Sequence, residues 1–155
     1  MTKDNNIQYL DNNNIPLMEI DHIGIAVVDL ESSIRWYSEK LGMKVVCKET
    51  NLYQGVREAM LTTNSTRKSN TKIQLLSSLN KSSTISRFID KKGPGLQQIA
   101  YKTNNIELLS GHLRRSGVRL IYDTPKVGTE NSSINFINPK DSGGVLIEIV
   151  QLNDF

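Results

Sequence analysis

Apolar residues in this chain fall into short runs rich in β-branched side chains, interrupted by two stretches of helical spacing, and the same order is written twice. The run from Glu19 to Val28, "EIDHIGIAVV", predicts a buried strand. Asp29 follows as an N-cap, Glu31 stands in the first turn, and Ile34, Tyr37 and Leu41 recur at helical spacing until Gly42 stops the helix. "MKVVCKET" predicts a second strand, and "VREAML" (Val56 to Leu61) and "KIQLLSSL" (Lys72 to Leu79) predict two more, with "TTNSTRKSNT" between them as a hairpin loop. The unit is βαβββ.

The segment "QQIAYKTNNIELLSGHLRRSGVRLI" repeats the strand, capped helix and strand of "DHIGIAVVDLESSIRWYSEKLGMKVV". Asn105 takes the place of Asp29, Glu107 that of Glu31, and Gly117 that of Gly42; "SINFINP" and "GVLIEIVQL" complete the second unit. Between the units, "SSTISRFIDKKGPG" predicts a short serine-capped helix broken by Gly-Pro-Gly. One such unit would leave a face of its sheet uncovered, so the expected fold is α+β, two paired βαβββ modules forming a curved mixed sheet. The expected domain is single, spanning 18–152, with module one at about 18–79, a connection at about 80–94 and module two at about 95–152; a polar leader, 1–17, precedes it.

Superposing the repeats sets His22 opposite Gln98 and Gln74 opposite Glu148, each a polar interruption of an apolar strand. Across a pseudo-two-fold axis the four would converge on the concave face, one nitrogen and three oxygen donors, a set that suits a divalent cation such as Co²⁺, Mn²⁺, Ni²⁺, Zn²⁺ or Mg²⁺. A histidine or glutamine in such a strand is more often hydrogen-bonded core, but an ionised Glu148 within "GVLIEIVQ" is costly to bury without a cation or a shared proton. Strand alternation turns Gln97 away from Gln98, leaving it a structural or rim residue.

Composition narrows the picture. The chain has 155 residues, 37% hydrophobic and 23% charged, and a net charge of +3 from 19 Lys and Arg against 16 Asp and Glu, too small and dispersed to indicate a nucleic-acid surface. Its one cysteine, Cys47, excludes an internal disulfide and a multi-cysteine metal site, pointing to a reducing cytoplasm, and is taken as a small core residue. The first residues contain no signal-like apolar region and no segment is long enough to span a bilayer, so no membrane association is expected. Trp36, Tyr37 and Phe88 are expected in the core or between modules, and Lys140, Arg114, Arg115 and Arg119 are solvated charges that could attract phosphates. No G-x-S-x-G pattern supports a nucleophilic triad.

From about Ile20 to Gln151 the chain resembles the vicinal oxygen chelate superfamily (glyoxalase/bleomycin resistance/dioxygenase), and within it the epimerases of methylmalonyl-CoA. The likeness rests on "IDHIGIAV", "GVREAML", "STISRFIDKKGPGL", "GVRLIYDTPKVGT" and "INFINPKDSGGVLIEIVQ". The resemblance implies a divalent metal ion in a cup between the modules, held by His22, Gln74, Glu148 and Gln98. Gln98 is the departure: "GLQQ" stands where the family has "GLHH", and an amide oxygen is a poorer donor than imidazole for Zn²⁺, Ni²⁺ or Co²⁺ but acceptable to harder ions. Glu58 matches the family's metal-free base and Glu148 its partner. The implied activity is epimerisation of a 2-substituted malonyl thioester by carboxylate-mediated α-proton transfer, with an acyl-CoA or other acyl thioester as substrate and a homodimer as the assembly. A specialised relative acting on another acyl thioester or biosynthetic intermediate, or a metal-free small-molecule binding protein, are the alternatives.

Overall fold

A computed structural model of the chain describes residues 15–63 and 71–153, so most of the expected leader and of the hairpin loop lie outside the described residues. The elements run β1 (Leu17–Ala26), α1 (Leu30–Leu41), β2 (Lys44–Asn51), β3 (Val56–Thr62), β4 (Lys72–Ser78), α2 (Thr84–Lys92), β5 (Gly95–Thr103), α3 (Ile106–Arg115), β6 (Lys126–Val127), β7 (Ser133–Ile137) and β8 (Ile147–Gln151). Capping fixes the helices as the sequence predicts. Asp29 accepts from the Ser32 amide at 2.7 Å and Asn105 from the Leu108 amide at 2.9 Å, while Gly42 ends α1 at a left-handed φ of 67° that favours glycine. Ser83 caps the connecting helix, accepting from the Ser86 amide at 3.0 Å.

The strands form one eight-stranded mixed sheet in the order β2-β3-β4-β1-β5-β8-β7-β6. β1 runs parallel to β4 and β5 parallel to β8, and β1 meets β5 antiparallel at the centre. That central register carries the internal symmetry: His22 lies opposite Ala100 and Gly24 opposite Gln98, which is what a two-fold axis requires if His22 matches Gln98 and Gly24 matches Ala100. The flanking pairs agree, Gly24 with Gln74 on one side and Ala100 with Glu148 on the other.

Apolar side chains lock each helix to its half of the sheet. Leu30 of α1 packs with Val27, Met43, Ala59, Leu61 and Leu75, and in module two Ile106 and Leu109 of α3 pack on Ile149. Leu61 and Leu75 are fully buried; burial on this scale stabilises by about 1.5–3 kcal/mol per side chain. Ile85 of α2 joins Ala26, Val56 and Leu76, holding the connecting helix against the first module.

Three expectations are corrected. "GVRLI" forms no strand: Leu120 makes only an isolated bridge to Ile137, and the edge strand is the short β6 beyond it. Pairing stops at two backbone bonds, from the Ile121 amide to Phe136 and from the Asn138 amide to Arg119, because Asp141 takes the Arg119 amide and, just beyond the segment, Arg114 takes the carbonyls of Tyr122 and Asp123 while Asn135 binds both the amide and the carbonyl of Tyr122. Pro125, lacking an N–H, then prevents extension. Cys47 is only half-buried on β2 rather than in the core, and Trp36 is 53% exposed, its helical spacing notwithstanding.

Candidate active site

The four central strands each send one polar side chain to the same point. His22 from β1, Gln74 from β4, Gln98 from β5 and Glu148 from β8 are all buried. The amide nitrogen of Gln98 lies 3.4 Å from His22 Nε2 and 3.2 Å from Gln74 Oε1 and contacts Glu148 Oε2, and His22 Nε2 is 3.4 Å from that same carboxylate oxygen. The four residues paired by the repeat therefore do meet. Gly24 makes this possible: a Cβ there would stand 2.6 Å from Gln98 Cγ, so only glycine lets the Gln98 side chain cross β1.

This donor set fits a divalent cation. An N–H₂ group with partial positive charge already occupies the focus of two acceptor oxygens, Gln74 Oε1 and Glu148 Oε2, beside His22 Nε2, and turning the Gln98 amide would present its oxygen to the same point. The set would then be one imidazole, one carboxylate and two amide oxygens, weighted to oxygen and so to harder ions. Among the described residues no group of three His, Cys, Asp or Glu is placed to hold a metal ion by itself, so the amides are indispensable to any such site.

The environment of His22 shows why it is aimed there. Its Nδ1 is 2.8 Å from Asp21 Oδ2, although neighbours on a regular strand point to opposite faces. The register explains the exception: Ile20 pairs with Tyr101 and His22 with Ala100, leaving Asp21 as the extra residue of a β-bulge that turns it towards His22. Burial opposes a charge on His22, but hydrogen bonds to Asp21 and Glu148 outweigh it and push its pKa up to about 9. Asp21 orients the imidazole so that Nε2 faces the cluster.

Glu58 of β3 stands beside this cluster and is 1% exposed. Gln74 Nε2 donates to Glu58 Oε2 at 2.8 Å, and Thr129 Oγ1 donates to Glu58 Oε1 at 2.9 Å. Gln74 thus turns its oxygen to the cluster and its nitrogen to Glu58, joining the two by a single amide. Burial is the main force raising the Glu58 pKa; the Thr129 hydroxyl opposes it, and the nearby Glu49 and Glu148 add to it, giving a value of about 7. A carboxyl group that titrates near neutrality is suited to general acid-base work.

Gln74, Gln98, Glu148 and Thr129 line a cavity of about 470 Å³ whose other walls include Ile85, Phe136 and Leu146. Sequence reasoning missed Asp21, Gly24 and Thr129. Asp21 was concealed by the bulge, and the distant Thr129 carries no local pattern. Of the basic residues expected to attract phosphates, Arg119 is bound to Asp141 at 2.6 Å and Arg114 to backbone carbonyls, and none of the four lines the cavity; Arg87 of α2, for which the sequence raised no such expectation, does.

Residues 19–149 match the profile of the glyoxalase/bleomycin resistance protein/dioxygenase superfamily. The chain belongs to that superfamily. It is 32% identical over 135 residues to the ethylmalonyl-CoA/methylmalonyl-CoA epimerase of Cereibacter sphaeroides, covering 86% of this chain and 97% of the relative. The crystal structure of methylmalonyl-CoA epimerase from Mycobacterium tuberculosis superposes with a TM-score of 0.85 at 47% identity, over 91% of this chain and 92% of that one. A Streptomyces coelicolor methylmalonyl-CoA epimerase in complex with 2-nitronate-propionyl-CoA gives 0.84 at 37% identity, over 89% and 99%. The superfamily's curled sheet is thus built here from the two modules that the repeat predicts.

Proposed function

We propose that this protein epimerises a 2-substituted malonyl thioester, methylmalonyl-CoA in the first instance, at the carbon between the thioester and the carboxylate. Its likeness to methylmalonyl-CoA epimerases over nearly the whole chain makes it an epimerase-like isomerase. The observation that carries the substrate assignment is the pair of buried carboxylates from opposite modules: Glu148 on β8 lines the cavity, and Glu58 on β3 stands directly behind Gln74 and Thr129, which line it too. Inverting a carbon through an enolate needs one group to remove the α-proton from one face and another to return a proton to the other, with no net change in protons.

Glu58 is the base in one direction. Its carboxylate takes the α-proton and the C–H electron pair moves into the thioester carbonyl; Glu148, entering this turnover as the carboxylic acid, gives its proton to the opposite face as the enolate electron pair returns to carbon, so that the two carboxyl groups finish with their protonation exchanged and re-equilibrate with solvent, and the reverse reaction exchanges the roles. Thr129 and Gln74 hold both Glu58 oxygens and so fix the direction of attack. A divalent cation held by His22, Gln74, Gln98 and Glu148 would supply positive charge to the developing enolate oxygens. The apolar wall of Ile85, Phe136 and Leu146 excludes water from the carbanionic centre.

A homodimer fits Leu41, Val45 and Val46, apolar and exposed at and beside the edge strand β2. A cytoplasmic setting fits the single, unpaired Cys47. No helix among the described residues is long and apolar enough to cross a membrane.

The test is incorporation of α-deuterium into methylmalonyl-CoA in D₂O, with and without Co²⁺ or Mn²⁺. Cation-stimulated exchange that Glu58→Gln lowers by about 10²- to 10⁴-fold is expected for loss of a general base. No exchange by wild-type protein supplied with the cation would overturn the reading.

A further inference from the structure

Gln97 is the other amide of "GLQQ", and the structure turns it the opposite way from a regular strand. Gln98 pairs with Gly24 and Leu96 with Ile25, the next residue of β1, so Gln97 is the extra residue of a β-bulge. Such bulges re-aim side chains beside active sites, and here Gln97 and Gln98 line the same cavity. The repeat supplies a control. Asp21 is the bulge residue at the matching position of β1, and its carboxylate orients His22 at 2.8 Å. Gln97 does no comparable work for Gln98, whose amide nitrogen is already engaged by His22, Gln74 and Glu148. Its own Oε1 is buried without a hydrogen-bond partner, a condition shared among the described residues only by Ser110 Oγ.

An orphaned amide oxygen at a cavity wall lacks a donor, and the chemistry of the ligand limits where a donor can come from. The acyl end of a malonyl thioester offers none: its carboxylate, thioester carbonyl and sulfur are acceptors. Hydrogen-bond donors begin with the amide N–H groups of the pantetheine arm. Rotation about the terminal side-chain torsion, which is broad, lets the Gln97 oxygen meet such a group. We propose that Gln97 is a positioning residue that hydrogen-bonds an amide of the pantetheine arm, so that the bulge of β5 selects arm-bearing acyl thioesters. The inference rests on the acyl-thioester reading above and extends it from the acyl group to its carrier.

The test uses ligands that need no turnover. Propionyl-CoA binding is measured by calorimetry, and binding of S-ethyl thiopropionate, which has no N–H, by ligand-observed NMR titration, for wild type and the length-matched Gln97→Met. Loss of one neutral hydrogen bond corresponds to affinity for propionyl-CoA weakened about two- to tenfold. Binding of S-ethyl thiopropionate should be unchanged, as should the thermal midpoint. Equal losses on both ligands, no loss on propionyl-CoA, or no binding of propionyl-CoA by wild type would overturn the proposal. Wild type that binds propionyl-CoA with this dependence on Gln97 yet exchanges no α-deuterium would instead overturn the epimerase reading and leave this one standing.

Discussion

Glu58 is costly to keep ionised, since its carboxylate is buried beside Glu49 and Glu148 with Thr129 and Gln74 to offset the charge. Its folded-state pKa is raised from 4.5 to about 7. Across that window the folded protein holds a proton that the unfolded chain has released, so this group's contribution to stability falls as pH rises from about 4.5 to about 7. Two outcomes are expected. α-Deuterium exchange should rise with pH through about 7 as the base ionises, and Glu58→Gln, while losing activity, should flatten the decline in thermal midpoint over the same window. An equally steep decline in the variant would assign it to another group. Gly24 gives a second measurement at this scale: a Cβ would stand 2.6 Å from Gln98 Cγ, so Gly24→Ala should cost about 1–3 kcal/mol in urea unfolding. It should also weaken cation binding by displacing a ligand, whereas unchanged cation affinity would mean that Gln98 is not one. His22, Gln74, Gln98 and Glu148 were legible in the sequence because each breaks an apolar strand at a position the repeat duplicates. Asp21 and Gln97 were not, because alternation assumes an unbroken ladder and each sits where the β1–β5 register slips.

Among the elements, those with local punctuation were read correctly and the one without it was not. Asp29, Asn105 and Ser83 each cap the helix assigned to them, since a side-chain acceptor one turn before the first free amide needs nothing from the rest of the fold. "GVRLI" failed because its β-branched composition competes with partners remote in sequence: Asp141 holds the Arg119 amide at 2.9 Å, and Asn135 on β7 and Arg114 on α3 claim the backbone groups of Tyr122 and Asp123 that would continue the strand. The connecting helix α2 links element to site, because Ser83, Thr84, Ile85 and Arg87 all line the cavity. Ser83 is 5% exposed and pairs through its hydroxyl with Ser78 Oγ at 2.7 Å as well as capping the helix. Ser83→Ala should therefore cost about 1 kcal/mol of stability and raise the KM for methylmalonyl-CoA more than it lowers kcat, since it loosens a wall and leaves Glu58 untouched. A variant with unaltered KM would mean that α2 supports the fold without shaping the substrate path.

For the molecule as a whole, the proposed ligand set draws equally on both modules: His22 and Gln74 from the first, Gln98 and Glu148 from the second. Within the sheet those modules are joined by the β1–β5 pairing, so an ion bound by all four would act as a clasp across the pseudo-two-fold axis. A ligand that binds only the folded state stabilises it by mass action, about 2.7 kcal/mol at a hundred times its Kd, which for a domain of this size raises the thermal midpoint by about 5–10 °C. Mn²⁺ or Co²⁺ should produce such a rise and a chelator should reverse it. Removing one ligand from either side, by His22→Ala or Glu148→Ala, should abolish it. The gain should also depend on pH. Burial disfavours a charged His22, yet Asp21 and Glu148 hold its pKa up at about 9, above its ordinary 6.5. Without a cation this pairing contributes stability that is full below about 6.5 and lost as pH rises through about 9. A cation needs the neutral imidazole and must displace that proton, so its stabilising effect should grow over the same interval in which the ion pair fades. Gln98→His, exchanging an amide oxygen for an imidazole nitrogen, should enlarge the gain from Co²⁺ or Zn²⁺ more than that from Mg²⁺. A midpoint indifferent to every cation, or a gain that persists in Glu148→Ala, would mean that these four side chains form a hydrogen-bonded polar core and that the enolate must draw its stabilisation from the protein alone.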